Sequence, residues 1–193
     1  MIDVRKLQTS LAVNPDGDPG PNTMRALFAR MGASPSIAGE LGLSAAVHFK
    51  TYGILDTPLR LAHFMGQCAH ESGGFIYMEE IASGAAYEGR ADLGNTQPGD
   101  GKRYKGRGPI QLTGRANYRK FGRRIGIDLE QHPTIASYPS VGLLLGCAYW
   151  DDKGLNALAD ADDLLTITKR INGGTNGLDD RKLRTAKAKG LIL

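Results

Sequence analysis

The run TPLRLAHFMGQCAHESGG, residues 57–74, constrains the fold more than any other part of the chain. Leu61, Ala62, Met65, Cys68 and Ala69 form an apolar stripe at helical spacing. His63, Gln67, His70 and Glu71 form a second, polar stripe at i, i+4, i+7 and i+8. Thr57 is a good N-cap, Pro58 stands at the first helical position where its missing N–H costs nothing, and Gly73-Gly74 end the helix. Helical spacing recurs along the rest of the chain, and the fold expected is mainly α.

Residues 1–40 read as a short N-terminal helical segment. Val4, Leu7 and Leu11 repeat at helical spacing, the turn-rich NPDGDPGPNT follows, and Thr23 is placed to cap a helix MRALFARMG that Gly32 stops. The stretch DGDPGPNTMRAL faintly resembles one turn of small peptidoglycan-binding repeats, although turn chemistry before a helix accounts for it equally well. Residues 41–193 read as one α-rich domain. After a short element FIYMEEIA comes a glycine-rich, charged connection from Ser83 to Gly108, a length usually functional or mobile inside a compact domain. Then PIQLTGRANYRKFGRRIGI, SVGLLLGCAYWDDKGL, DDLLTITKRI and a basic tail opening on Asp179-Asp180 resume the helical pattern.

Composition narrows the class. Of 193 residues, 41% are hydrophobic and 23% charged, the balance of a soluble globular chain. The longest apolar run, VGLLLGCAYW, is half of the ~20 residues a membrane span needs, so no stable membrane insertion is expected. The N-terminus shows no apolar signal segment, which leads to the expectation of synthesis in the cytoplasm. Cys68 and Cys147 lie in apolar helical patterns and read as buried free thiols. A formal charge of +4 favours an anionic partner, whether nucleic acid, a membrane surface or a bacterial wall. No groove-reading motif supports nucleic acid.

The carboxylates carry the chemistry. The negative end of a helix dipole favours a carboxyl that keeps its proton, as a general acid must, and Glu71 stands at such an end. Glu79 and Glu80 follow eight and nine residues later. In a continuous helix nine residues would carry Glu80 about 13 Å along and half a rotation round. The two glycines remove that geometry and let the chain fold back, so that one of these acids can face Glu71 across a groove; a plain helix C-cap is the competing reading. Glu88, on the long connection, is a third candidate. HExxH zinc chemistry fails because Gly74 stands where the second histidine belongs, and His63 with His70 suits a packed polar face better than a metal. In YKGRGPIQLTGRANY, residues 104–118, no Walker lysine follows and Gln111 replaces the third glycine of a dinucleotide fingerprint. A tight turn presenting Gln111 and Thr113 to water and sugar hydroxyls fits better.

Together, FMGQCAHESGGF, YKGRGPIQLTGRANY and KRINGG resemble glycoside hydrolase family 19, which includes plant class I chitinases and a branch of bacteriophage endolysins. The likeness runs from about Leu43 to Lys189, and YEGRADLGNTQPGDGKRYKGRG, YWDDKGLNALAD and INGGTNGLDDR bring it nearer the phage-lysozyme branch. The resemblance implies a lysozyme-like, two-lobed helical domain with a central cleft and no cofactor or metal. It implies Glu71 as general acid, Glu80 as the second carboxylate with Glu88 as the alternative, and Thr113 holding the attacking water. Gln111, Asn117 and Asn172 fall on sugar-contacting positions; His70 and Tyr104 complete the candidate substrate-binding set. Where chitinases carry a tyrosine before the asparagine, this chain has Ala116, which favours a polysaccharide other than chitin. The function expected is a phage- or prophage-type endolysin acting as a monomer on peptidoglycan glycan strands of the cell wall. A chitinase, or a catalytically dead wall-binding module, are the alternatives.

Overall fold

Four helices open on a side chain that accepts a backbone N–H: Asp3, Ser34, Thr57 and Asp163 each satisfy a donor in the first turn. The computed structural model describes residues 1–193, and its architecture is helical throughout, with only isolated bridges Glu79–Arg107 and Arg107–Leu112. The helices are α1 (Val4–Leu11), α2 (Pro21–Met31), α3 (Pro35–Thr51), α4 (Pro58–Glu71), the single turn α5 (Asp100–Arg103), α6 (Arg115–Ile125), α7 (Pro139–Asp152), α8 (Leu155–Asp160), α9 (Leu164–Asn172) and α10 (Leu178–Ile192). The fold class expected from the sequence is the one found.

α4 lies at the centre. On its apolar side Phe64 stacks edge-on to Phe49 of α3 and Trp150 of α7, with ring centroids 5.2 and 5.3 Å apart. The ladder continues from Phe28 of α2 to Phe49 and to Phe75, at 6.2 and 5.0 Å. Each of these rings is fully buried, so truncating any one to alanine costs about 3–5 kcal/mol. On its polar side α4 runs along α10. Gly66 permits that approach, because a Cβ there would stand 2.2 Å from Thr185 Oγ1.

Two local expectations change. Thr23 is not a cap: α2 starts at Pro21 behind Gly20, and the Thr23 hydroxyl donates to the Asp18 carbonyl while accepting from Gln8 Nε2. Proline at the first position had already started the helix. Residues 1–40 also share the main core, since Leu7, Met24, Leu27 and Phe28 belong to one continuous apolar cluster and the 40/41 boundary falls inside α3. The long connection is fastened rather than loose. It forms two single 3₁₀ turns, Ala85–Tyr87 and Ala91–Leu93, and buried Asn95 ties Tyr87 carbonyl to the Arg115 N–H that begins α6.

Candidate active site

The first wall grows from the end of α4. Ser72 closes the helix by donating to the Cys68 carbonyl and accepting from the Phe75 N–H. Gly73, Gly74 and Phe75 then take φ of 62, 84 and 63°, three left-handed residues in a row that turn the chain back. Glu71 is left at the rim with a side chain 19% exposed, and its Oε1 accepts from Arg181 Nη2 at 2.5 Å. Arg181, itself 2% exposed in the side chain, also donates from Nη1 to Gln67 Oε1 at 2.6 Å. One residue earlier on each helix the pairing repeats, with His70 Nδ1 2.6 Å from Asp180 Oδ2. Arg184 donates to the same Asp180 oxygen. Hydrogen bonds from Arg184 and His70 outweigh burial and hold the Asp180 carboxyl below its usual range.

The second wall is the folded-back chain. Glu80 N–H donates to the Gly106 carbonyl and Gly108 N–H to the Met78 carbonyl, which sets the 78–80 strand of chain against 106–108. Neighbours in extended chain face opposite ways. Glu79 therefore turns to Lys105 at 2.6 Å and Arg107 at 3.0 Å. Burial works against its ionisation, but the two cations hold its carboxyl below the ordinary range. Glu80 turns the other way: Oε1 accepts from Tyr87 Oη at 3.0 Å and Oε2 from the Gly106 N–H at 3.1 Å. Burial, reinforced by the Glu80 bond, raises the Tyr87 hydroxyl pKa and keeps it a donor.

Gly106 marks where this wall converges. A Cβ on it would stand 2.7 Å from Gln111 Oε1 and 3.3 Å from both Glu80 Oε2 and Thr113 Oγ1. Gln111 is held at φ 54°, an uncommon conformation for a residue with a side chain, and its amide donates to the Gly108 carbonyl at 3.0 Å. Thr113 Oγ1 donates to the Gln111 carbonyl at 2.9 Å, which leaves its lone pairs facing outward.

Between the walls runs a cleft of about 580 Å³ lined by His70, Glu71, Tyr87, Arg90, Gln111, Thr113, Asn117, Tyr149, Asn172 and Arg181, among others. Burial pushes the Tyr149 hydroxyl up to about 12, so it too is a donor there. Asn172 Nδ2 donates to the Asn176 carbonyl and Asn117 Nδ2 to the Thr113 carbonyl, leaving both amide oxygens uncommitted. Glu80 is outside the lining and is bonded to Tyr87, which is part of it.

Two candidates are placed elsewhere. Tyr104 is 2% exposed, its ring against Tyr118 and its hydroxyl donating to the Glu130 carbonyl, so it supports the lobe without reaching the cleft. Glu88 spends both carboxylate oxygens on the Gly99 and Gly101 N–H groups of its own loop. The histidines are separately engaged, His63 with Asp162 and His70 with Asp180. Arg181 was not anticipated, although its signal was present: Arg181, Thr185, Ala188 and Ile192 recur at helical spacing and are the buried face of α10.

Comparison with known proteins identifies the family. The model of the family described as chitinase class I matches residues 44–152, more than half of the chain. A glycosyl hydrolase family 19 domain-containing protein of Haemophilus influenzae is 30% identical over 154 residues, 64% of this chain and 75% of the relative. An Arabidopsis thaliana endochitinase is 35% identical over 133 residues, 68% of this chain but 46% of its own length, so the chain spans under half of that plant protein. In structure, chitinase C from Streptomyces griseus superposes with a TM-score of 0.67 at 20% identity, covering 91% of this chain and 94% of its own, a likeness of fold. With the helical fold and a family match over more than half of the chain, the chain belongs to glycoside hydrolase family 19, as a chitinase-like member.

Proposed function

We propose that the chain hydrolyses β-1,4 bonds between amino sugars with inversion, and that its substrate is the glycan strand of peptidoglycan. The observation that carries the reading is the cleft with Glu71 and Arg181 on one side and Gln111 and Thr113 on the other, with Glu80 bonded to the Gly106 N–H beside them. Glu71, protonated on Oε2, the oxygen that Arg181 does not hold, gives that proton to the leaving oxygen. Glu80 takes a proton from a water held against Thr113 Oγ1 in the space above Gly106, and that water attacks the anomeric carbon from the opposite face. Inversion needs such a water between carboxyls about 6.5–9.5 Å apart. Asn117, Asn172, His70 and Gln111 offer hydrogen bonds to sugar hydroxyls and acetamido groups.

For peptidoglycan speak the formal charge of +4, suited to an anionic wall, and Ala116, which packs against Gly94 where chitinases carry an aromatic ring. The names of the endochitinase relatives favour a second reading, chitin. Purified peptidoglycan and chitin oligomers, each incubated with enzyme and analysed by mass spectrometry and by proton NMR of the first anomer released, decide between them. Peptidoglycan fragments with the α-anomer first support the proposal; chitin products alone transfer it to the second reading. Glu71→Gln should keep the fold and lose at least about 10³-fold in rate, by loss of proton donation on top of which electrostatic complementarity fails. Wall clearing by that variant would exclude Glu71 as the acid.

A further inference from the structure

The α4–α10 seam holds three buried side-chain polar atoms with no protein partner: His63 Nδ1, Gln67 Nε2 and Thr185 Oγ1. Each of the three residues is at most 1% exposed. Buried polar atoms in native proteins are almost always bonded, so three in one seam need an account. All three belong to α4 or α10, which pack against each other. His63 and Gln67 are one turn apart on α4 and share its polar stripe. Thr185 is one turn beyond Arg181 on α10, lies over Gly66, and Arg181 is bonded to Gln67.

Their chemistry is complementary as well. Arg181 can only donate, so the Gln67 amide must turn Oε1 to it and leave Nε2–H₂ as donor. His63 Nε2 lies 2.6 Å from an Asp162 carboxylate oxygen, so in the neutral ring that nitrogen carries the proton and Nδ1 is an acceptor. Burial favours the neutral ring. Thr185 Oγ1 can donate or accept.

We infer that these atoms bind one internal water, which accepts from Gln67 and donates to His63 or Thr185, and that Gln67 is a positioning residue for the acid. A buried water typically makes about three such bonds. Fixed by the water on its nitrogen side, the Gln67 amide holds Arg181 Nη1, and the planar guanidinium then presents Nη2 to Glu71. Gln67 itself is not part of the cleft lining. The inference rests on Glu71 being the acid, not on which glycan is cleaved.

The test is kinetic and crystallographic. Gln67→Met keeps the volume, removes the amide and leaves Arg181 held by Glu71 and the Asn176 carbonyl alone. The expected result is a kcat at least tenfold lower on whichever of peptidoglycan or chitin hexamer the wild type cleaves, measured where both proteins are folded, with KM within twofold and a Tm only a few degrees lower, since buried Arg181 Nη1 loses an acceptor. A purely structural glutamine would lower Tm but spare kcat. Thr185→Val, which removes one anchor of the water, should reduce kcat two- to fivefold at unchanged Tm, and it keeps the test open should Gln67→Met fail to fold. Diffraction at about 1.5 Å should show a water within hydrogen-bond reach of at least two of the three atoms. Wild-type kcat in both variants, or a dry seam, overturns the inference. Failure of the acid assignment would show differently, as activity retained by Glu71→Gln.

Discussion

Gly106→Ala separates stability from catalysis more cleanly than removal of any acid. Gly106 φ is not in the left-handed region, so alanine suits the backbone, and its N–H bond to Glu80 survives. The new methyl would lie 2.7 Å from Gln111 Oε1, roughly 0.5–1 Å inside ordinary van der Waals contact, and 3.3 Å from Glu80 Oε2 and Thr113 Oγ1. Gln111 Oε1 is the end of a flexible side chain and can yield. The space above the glycine cannot be kept, and that is where the attacking water is proposed to stand. Stability should change little: the alanine gains about 0.4–1 kcal/mol by restricting the unfolded chain and loses a comparable amount on moving Gln111. Over 193 residues that keeps Tm within about 3 °C. Rate should suffer far more, since misplacing a reactant by about 1 Å can cost 10²-fold. The assay is initial-rate kinetics on the cleaved glycan beside a thermal melt. A kcat within threefold of wild type at normal Tm would show that the nucleophile does not use this space, and the assigned roles of Glu80 and Thr113 would fall with it.

The remaining predictions concern the scaffold. Glu130 bridges Arg119 and Arg115 at 2.6 and 2.8 Å, and these bonds lower its carboxyl pKa to about 2 from 4.5. Because the folded value is the lower one, the stabilisation is complete above about pH 4.5 and is lost as pH falls towards 2. Discounted for solvent screening it amounts to about 1 kcal/mol, and Glu130→Gln should remove that part of the acid dependence in melts run from pH 6 to 2.5. If the variant melts in parallel with wild type across this range, the bridges are not contributing. Gly177→Ala should be harmful, because Gly177 has φ 70° and its Cβ would stand 2.2 Å from His70 Cε1. Displacing His70 from Asp180 and straining the backbone should cost about 1–3 kcal/mol and reduce activity together with Tm, a paired loss that circular dichroism and turnover measure. An unaltered melt would mean the imidazole moves aside freely.

What could be read from the sequence depended on how local its cause was. Thr57 and Pro58 start α4, and Ser72 with the two glycines ends it, through bonds spanning at most five residues. The diglycine bend and the helix before it were legible for that reason. Which way a side chain faces was not. Tyr104 and Glu88 sit in the same motif-rich stretch as Thr113 and Gln111, yet one turns inward beneath α6 and the other onto its own loop. Loop N–H groups fix Glu88 and contacts with Tyr118 and Glu130 fix Tyr104, and no periodicity encodes either in so irregular a segment.

The two proposed catalytic groups therefore differ in how they are held. Glu80 is fixed by bonds to residues 7 and 26 positions away, within one lobe. Glu71 is fixed by Arg181, 110 residues on, through the register of α4 against α10. Closing so long a stretch costs chain entropy that a single ion pair cannot repay. The register is instead set by packing, with Gly66 receiving Thr185, and by paired contacts at successive residues, His70 to Asp180 and Glu71 to Arg181. Rotating α10 by one residue, about 100°, would break both pairs at once. The polar stripe of α4, the feature with which the sequence most constrains the fold, is thus the same feature that places the proposed acid. Its meaning could not be seen until the buried face of α10 was known, because half of the arrangement is written in the last sixteen residues of the chain.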